Sequence, residues 1–354
     1  YKRQVVFPED IPDTIEKGLK GPGFPVDVYN VLGAGDAFMS GFLRGWLTDQ
    51  PIAVCCAYAN AGGAFAVSRL LCSPEYPTVS EMDHFINKGA TTRALRRDPE
   101  LSHLHWSRTR HTAPSSYQGD KIFALAIDHR AQLELMADEA GVSRDRIEPF
   151  KTLALEAAMR IADGRPGFGM LLDSTYGRAA LFKAASHNLW IARPVERPGS
   201  RPLDFEGTGS LAAMLTEWPT SHVIKALCFY HPDDDMQMKL QQERELKRLY
   251  DAARQLKREI LIEIISGKQG ILHDETVSSV LDRLYSLGIK PDWWKLEAQP
   301  SEQSWTNISD VIQRNDSYCR GIMLLGLDAP EDQLIEAFHR AKTTSLVKGF
   351  AIGR

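Results

Sequence analysis

Residues 259–297 read EILIEIISGKQGILHDETVSSVLDRLYSLGIKPDWWKLE. Glu259–Ile264 and Trp293–Leu296 are apolar runs of strand length, rich in β-branched and aromatic residues. Between them, Glu275–Leu287 repeats its apolar residues at helical spacing. Strand, helix and strand in this order form a βαβ unit. Its two strands are parallel, and helices cover both faces of such a sheet, so the strands are apolar throughout instead of alternating.

The rhythm extends in both directions. Further runs are Ile122–Ile127, Phe168–Leu172, Asn188–Ala192 and His222–Cys228 upstream, and Gly321–Leu325 and Leu346–Ile352 downstream. Met236–Leu256 is another segment of helical period. Eight runs alternating with helices between residues 121 and 354 predict an α/β fold of the closed (β/α)8 TIM-barrel type. An open, doubly wound sheet is the alternative, but no GxGxxG follows the first run.

In such a barrel the site is built where strands end and βα loops begin. The first run ends in Asp128-His129-Arg130, the second in Asp173, and the third in Arg193 followed by Glu196. The fourth carries Lys225, the fifth Glu263, and the sixth Lys295 and Glu297. The seventh ends at Gly326 and the eighth at Gly353-Arg354. Burying an unpartnered charge in an apolar strand is costly. These charges are therefore expected to converge on one polar pocket. For any single residue the alternative is a Lys–Glu pair that merely fills the barrel.

The set has a chemistry. Lys225 and Lys295 would stand near each other, and a second cation and apolar walls both depress a lysine pKa. A neutral amine can then form a Schiff base with a ketone. Glu263, from the strand between them, is placed to move protons. Asp128, Arg130, Asp173 and Glu196 complete the expected substrate-binding set. Gly326, Gly353 and Arg354 offer backbone N–H groups and a cation to a phosphate. The histidines of the barrel segment are dispersed, with no HxH or HExxH there, and no metal is expected. The expectation is metal-independent carbon–carbon bond cleavage on a phosphorylated keto sugar.

The rest of the chain bounds the answer. With 354 residues, two domains are expected. The formal net charge of −4 gives no case for nucleic acid. No apolar run approaches the ~20 residues of a membrane span. Five cysteines without framework or metal spacing predict reduced thiols and a cytoplasmic protein. Residues 90–120 are basic and polar with little periodicity, and are expected to be a linker between a segment 1–89 and the barrel 121–354. His103, His105 and His111 in it have no Cys or carboxylate at ligand spacing. The chain opens on Tyr1 and stops directly after an apolar run, so it reads as a piece of a longer protein, with the barrel cut before its last helix.

Residues 30–43 read NVLGAGDAFMSGFL. Gly33, Ala34 and Gly35 open a helix whose free N–H groups face an anion. Asp36 can take a proton from a hydroxyl attacking a γ-phosphate.

This motif resembles the C-terminal signature of the ribokinase (PfkB) sugar kinases. The resemblance implies an α/β fold for the domain to which this segment belongs, ATP and Mg as cofactors of the intact kinase, and a place for Asn60 near the nucleotide. PDWWKLEAQP (291–300) resembles the lysine-bearing strand of the class I tagatose-1,6-bisphosphate aldolases. AIDHR (126–130), LLDSTYG (171–177), VIKALCFY (223–230) and LIEI (261–264) resemble that family's first, second, fourth and fifth strands. His129 stands where the family pattern has Gln. By this resemblance Lys295 is the Schiff-base lysine, with no cofactor. The two halves together resemble the fused 5-dehydro-2-deoxygluconokinases of myo-inositol catabolism, whose extra barrel is the domain of unknown function 2090. The implied pair of steps is phosphorylation of 5-dehydro-2-deoxygluconate, then cleavage of its 6-phosphate to dihydroxyacetone phosphate and malonate semialdehyde. The alternative is that the kinase is the sole activity and the barrel is a non-catalytic module that binds sugar phosphate or mediates homo-oligomerisation.

Overall fold

The computed structural model describes residues 23–110, 119, 121–207, 209–326 and 330–353. The chain divides into two compact units, one up to Thr109 and one from Arg110.

The first unit is helical: α1 (Ala34–Leu47), α2 (Ile52–Val67), α3 (Val79–Lys88) and α4 (Pro99–Thr109). Helices α1 and α2 pack backbone to backbone because their contact positions lack side chains. A Cβ on Gly41 would sit 2.3 Å from the Tyr58 carbonyl oxygen, and one on Gly62 2.5 Å from that of Ala37. Thr78 and Glu81 form a capping box at the start of α3. Phe65, Met82, Phe85, Leu95 and Leu101 form the core.

Part of the expected linker is ordered here. Asp98 Oδ1 accepts the N–H groups of Glu100 (3.1 Å) and Leu101 (3.0 Å), and Pro99 opens α4. Leu95, Leu101 and Leu104 are buried. An N-cap followed by proline was the available signal, and the polar composition outweighed it. His105 Nδ1 lies 2.9 Å from Glu81, which also pairs with Arg69. His111 lies outside the described residues.

The second unit is a closed barrel of eight parallel strands in sequential order. They are β1 (Ile122–Ala126), β2 (Phe168–Leu171), β3 (Trp190–Pro194), β4 (Val223–Phe229), β5 (Ile260–Ile265), β6 (Trp293–Leu296), β7 (Gly321–Leu325) and β8 (Val347–Ile352). All eight expected runs are strands, most within one or two residues of their expected bounds. The outer helices are α5 (Ala131–Glu139), α6 (Ile147–Ala162), α7 (Arg178–Ala184), α8 (Leu211–Thr216), α9 (Met236–Gln255), α10 (Thr276–Ser286), α11 (Glu302–Asn315) and α12 (Glu331–Ala341).

Inside the barrel, every strand contributes to one apolar cluster that includes Trp190, Val223, Leu261, Trp293, Met323 and Ala351. Trp190 and Trp293 meet edge to face at 6.5 Å. Outside, the alternate residues Ile224, Ile262, Trp294 and Leu324 pack beneath the helices. At the N-terminal end, Asp292 accepts from Arg110 (2.9 Å), Arg254 (2.8 Å) and the Ile260 N–H (3.0 Å). That end is thus cross-tied by charge, which leaves the C-terminal mouth as the open one.

Candidate active site

Above the tryptophan layer the barrel turns polar. Lys225 follows Val223 on the inward face of β4. Glu263 follows Leu261 on β5, and Lys295 follows Trp293 on β6. Register places Glu263 directly opposite Lys295. Each charged residue stands two positions beyond an interior apolar one, the period that keeps side chains on one face of a strand. The site is therefore the layer above the packed core.

The cluster is tightly connected. Lys225 Nζ lies 3.1 Å from Asp128 Oδ2, 3.0 Å from Glu196 Oε1 and 3.0 Å from Glu263 Oε2. Lys295 Nζ donates to Glu263 Oε1 at 2.9 Å. One carboxylate thus holds a different amine on each oxygen. Arg130 Nη2 donates to the Glu196 carbonyl at 3.1 Å and lies 3.4 Å from its carboxylate. All six side chains are buried.

Burial opposes every one of these charges, and their mutual attraction decides the outcome. For Lys225, desolvation pulls the pKa down, but Asp128, Glu196 and Glu263 outweigh it and raise the ammonium well above its usual range. The depressed amine expected from two neighbouring lysines is therefore not found at Lys225, because carboxylates from the loops after β1 and β3 and from β5 reach it. Burial likewise opposes ionisation of Glu263 and Asp128, and Lys225 and Lys295 hold both below the ordinary carboxylate range.

These residues line a cavity of about 250 Å³ at the mouth. Four cations (Arg130, Lys225, Lys268 and Lys295) and three carboxylates (Asp128, Glu196 and Glu263) face it, with His129, Gln132, Gly326 and Gly353. The excess of cations suits an anionic guest. A Cβ on Gly353 would lie 1.7 Å from the Ala126 carbonyl oxygen, so only glycine lets β8 close against β1 there. Lys268 was not anticipated. It sits in the loop after β5, and a basic residue in a βα loop was the signal.

One member of the expected substrate-binding set stands elsewhere. Asp173 is absent from the lining of this cavity. It is fully buried against Lys151 and accepts the N–H groups of Thr175 (2.9 Å) and Tyr176 (2.7 Å), shaping the turn after β2. Arg354 lies outside the described residues. In the first unit, α1 begins at Ala34, as the GAGD reading expects, with Gly33 at φ 79°. Gly35 faces open space, Asp36 is exposed in the first turn, and Asn60 is half-buried on α2.

Fold and site define a (β/α)8-barrel protein with a lysine–carboxylate cluster at its C-terminal mouth. The chain belongs to the family described as "Uncharacterized protein conserved in bacteria (DUF2090)", whose model matches residues 81–354. Ahead of it, residues 14–79 match the pfkB family carbohydrate kinases. The 5-dehydro-2-deoxygluconokinase of Geobacillus kaustophilus is 31% identical over 77 residues, 22% of this chain and 23% of that protein. The ATP-dependent ribose-1-phosphate kinase of Halopiger xanaduensis is 50% identical over 48 residues, 14% of this chain and 16% of that one. The chain thus spans less than a quarter of the length of these curated relatives. A fructose-bisphosphate aldolase from Slackia heliotrinireducens superposes with a TM-score of 0.46 at 10% identity, over 71% of this chain and 79% of its own.

Proposed function

We propose that the barrel is a class I aldolase that cleaves 5-dehydro-2-deoxygluconate 6-phosphate through an imine on Lys295. The observation that carries this reading is the shared carboxylate: Glu263 contacts Lys295 through one oxygen and Lys225 through the other. Lys225, facing three carboxylates, remains an ammonium. Lys295 pairs with Glu263, and its amine is the nucleophile that attacks the ketone. Condensation with the C5 ketone gives an imine and releases water. A carboxylate of the cluster then takes the C3 hydroxyl proton, and the C3–C4 bond breaks. Malonate semialdehyde leaves, and an enamine of dihydroxyacetone phosphate stays on Lys295. Protonation and hydrolysis release that product and restore the amine. Arg130 and Lys268 supply positive charge for the carboxylate and phosphate of the substrate.

The N-terminal segment contributes to the preceding step in this reading. Asp36 and the GAGD helix start belong to a kinase that phosphorylates 5-dehydro-2-deoxygluconate with ATP and Mg, in a chain longer than these residues.

Borohydride trapping with dihydroxyacetone phosphate, followed by peptide mapping, tests the imine. The expected label falls on Lys295 and disappears in Lys295→Ala. Label on Lys225, or no label in the presence of a bound ligand, would sink the reading. Ligand binding without an imine would instead make the barrel a sugar-phosphate-binding module.

A further inference from the structure

A second cavity, of about 560 Å³, opens on the outside of the barrel between α7 and α8. It shares no lining residue with the mouth. Helix α8 has only six residues and follows a long loop from β3, so it leaves the neighbouring strands incompletely covered. The apolar walls come from Leu181 and Phe182 of α7, Met214 of α8, and Trp218. The polar part is Ser174, Arg178, Arg193 and His222, with the carboxylates of Glu206 and Glu217.

Arg193 is out of place in such a wall. It stands on β3 between the interior residue Ala192 and Pro194, and is 9% exposed. Its guanidinium stacks on the Trp218 ring at 4.0 Å, and Nη2 donates to Ser174 Oγ at 2.7 Å. Its Nε has no hydrogen-bond partner, and among the described residues no carboxylate reaches it at ion-pair distance. His222, 4% exposed, leaves Nδ1 equally unmatched. The nearby acids are engaged or peripheral. Asp173 is held by Lys151, Glu206 faces Arg130 at 3.5 Å, and Glu217 is exposed. Burial, with Arg258 nearby, lowers Arg193 to about 10, which still leaves it charged at neutral pH. A buried cation without a counterion is costly, and an anionic ligand would remove that cost.

We propose that the α7–α8 cavity binds a small amphipathic carboxylate, its carboxylate on Arg193 and its aromatic or aliphatic body against Trp218, Phe182 and Met214. Stacking on Trp218 already fixes the guanidinium plane, so an incoming carboxylate pays little to order it.

Isothermal titration of the whole chain with benzoate, phenylacetate and inorganic phosphate tests this. Saturable binding of the aromatic acids in the millimolar range or tighter is expected, with phosphate weaker. Arg193→Met should weaken it roughly ten- to a hundredfold, the range of one hydrogen bond to a charged group. Phe182 is 71% exposed, so Phe182→Asp leaves folding intact while adding a repelling charge at the rim. It should weaken binding as well, whereas Lys295→Ala should leave it unchanged. The proposal is overturned if neither acid binds saturably, if phosphate binds as tightly as benzoate, if both cavity variants bind like the wild type, or if Lys295→Ala abolishes binding.

Discussion

At the scale of single residues, the arrangement gives the two lysines different partners: three carboxylates for Lys225 and one for Lys295. Lys225 is surrounded by Asp128, Glu196 and Glu263 and is held as an ammonium. A raised lysine pKa contributes stability that is fully present below the unfolded value of about 10.5 and is lost as pH rises through the folded one. The lowered carboxylates Asp128 and Glu263 do the reverse, adding stability above about pH 4 that is lost on acidification. Lys225→Met removes the common partner of three buried carboxylates. Without it, Glu263 and Asp128 ionise less readily, so the acid limb of the kcat/KM profile should move to higher pH. The rate should fall about 100-fold, the cost of losing one preorganised electrostatic partner. The borohydride label should still appear on Lys295. A pH–rate profile superimposable on that of the wild type would remove Lys225 from this role.

At the scale of elements, the barrel was legible in the sequence and parts of its surroundings were not. The eight apolar runs are visible because strands of a parallel sheet buried on both faces must be apolar throughout. Lys225, Glu263 and Lys295 stood out because each interrupts such a run. Asp173 ends one, yet it is paired with Lys151 from α6, a partner that no local pattern could reveal. Helix α4 was hidden because its buried face includes His103 as well as Leu101 and Leu104. The β1–β8 seam is legible only in three dimensions. There, Gly349 brings the strands so close that a Cβ would lie 1.8 Å from the Ile122 carbonyl oxygen. Gly349→Ala should therefore cost about 3 kcal/mol, the upper end of the overpacking range, because the obstacle is backbone and cannot rotate away. Chemical denaturation measures this, and an unchanged midpoint would show that the seam yields more easily than its geometry implies.

At the scale of the whole molecule, two divisions of the chain disagree. The family match begins at residue 81, within α3, whereas compactness divides the chain at Thr109. Every described residue lining the mouth belongs to the unit that starts at Arg110. The proposed imine chemistry therefore needs only that unit, provided it folds alone. Its closed sheet and charge-tied N-terminal end argue that it does: Arg110 itself supplies one of the hydrogen bonds to Asp292. In contrast, α3 and α4 share the core of Phe65 and Phe85 with the first unit. Two pieces, 81–354 and 110–354, separate the possibilities. Both should label at Lys295 with yields within about twofold of the whole chain, since the described residues lining the mouth all belong to the barrel unit. If 81–354 labels and 110–354 does not, α3 and α4 are part of the barrel's functional unit, and the family boundary describes the molecule better than its compactness does.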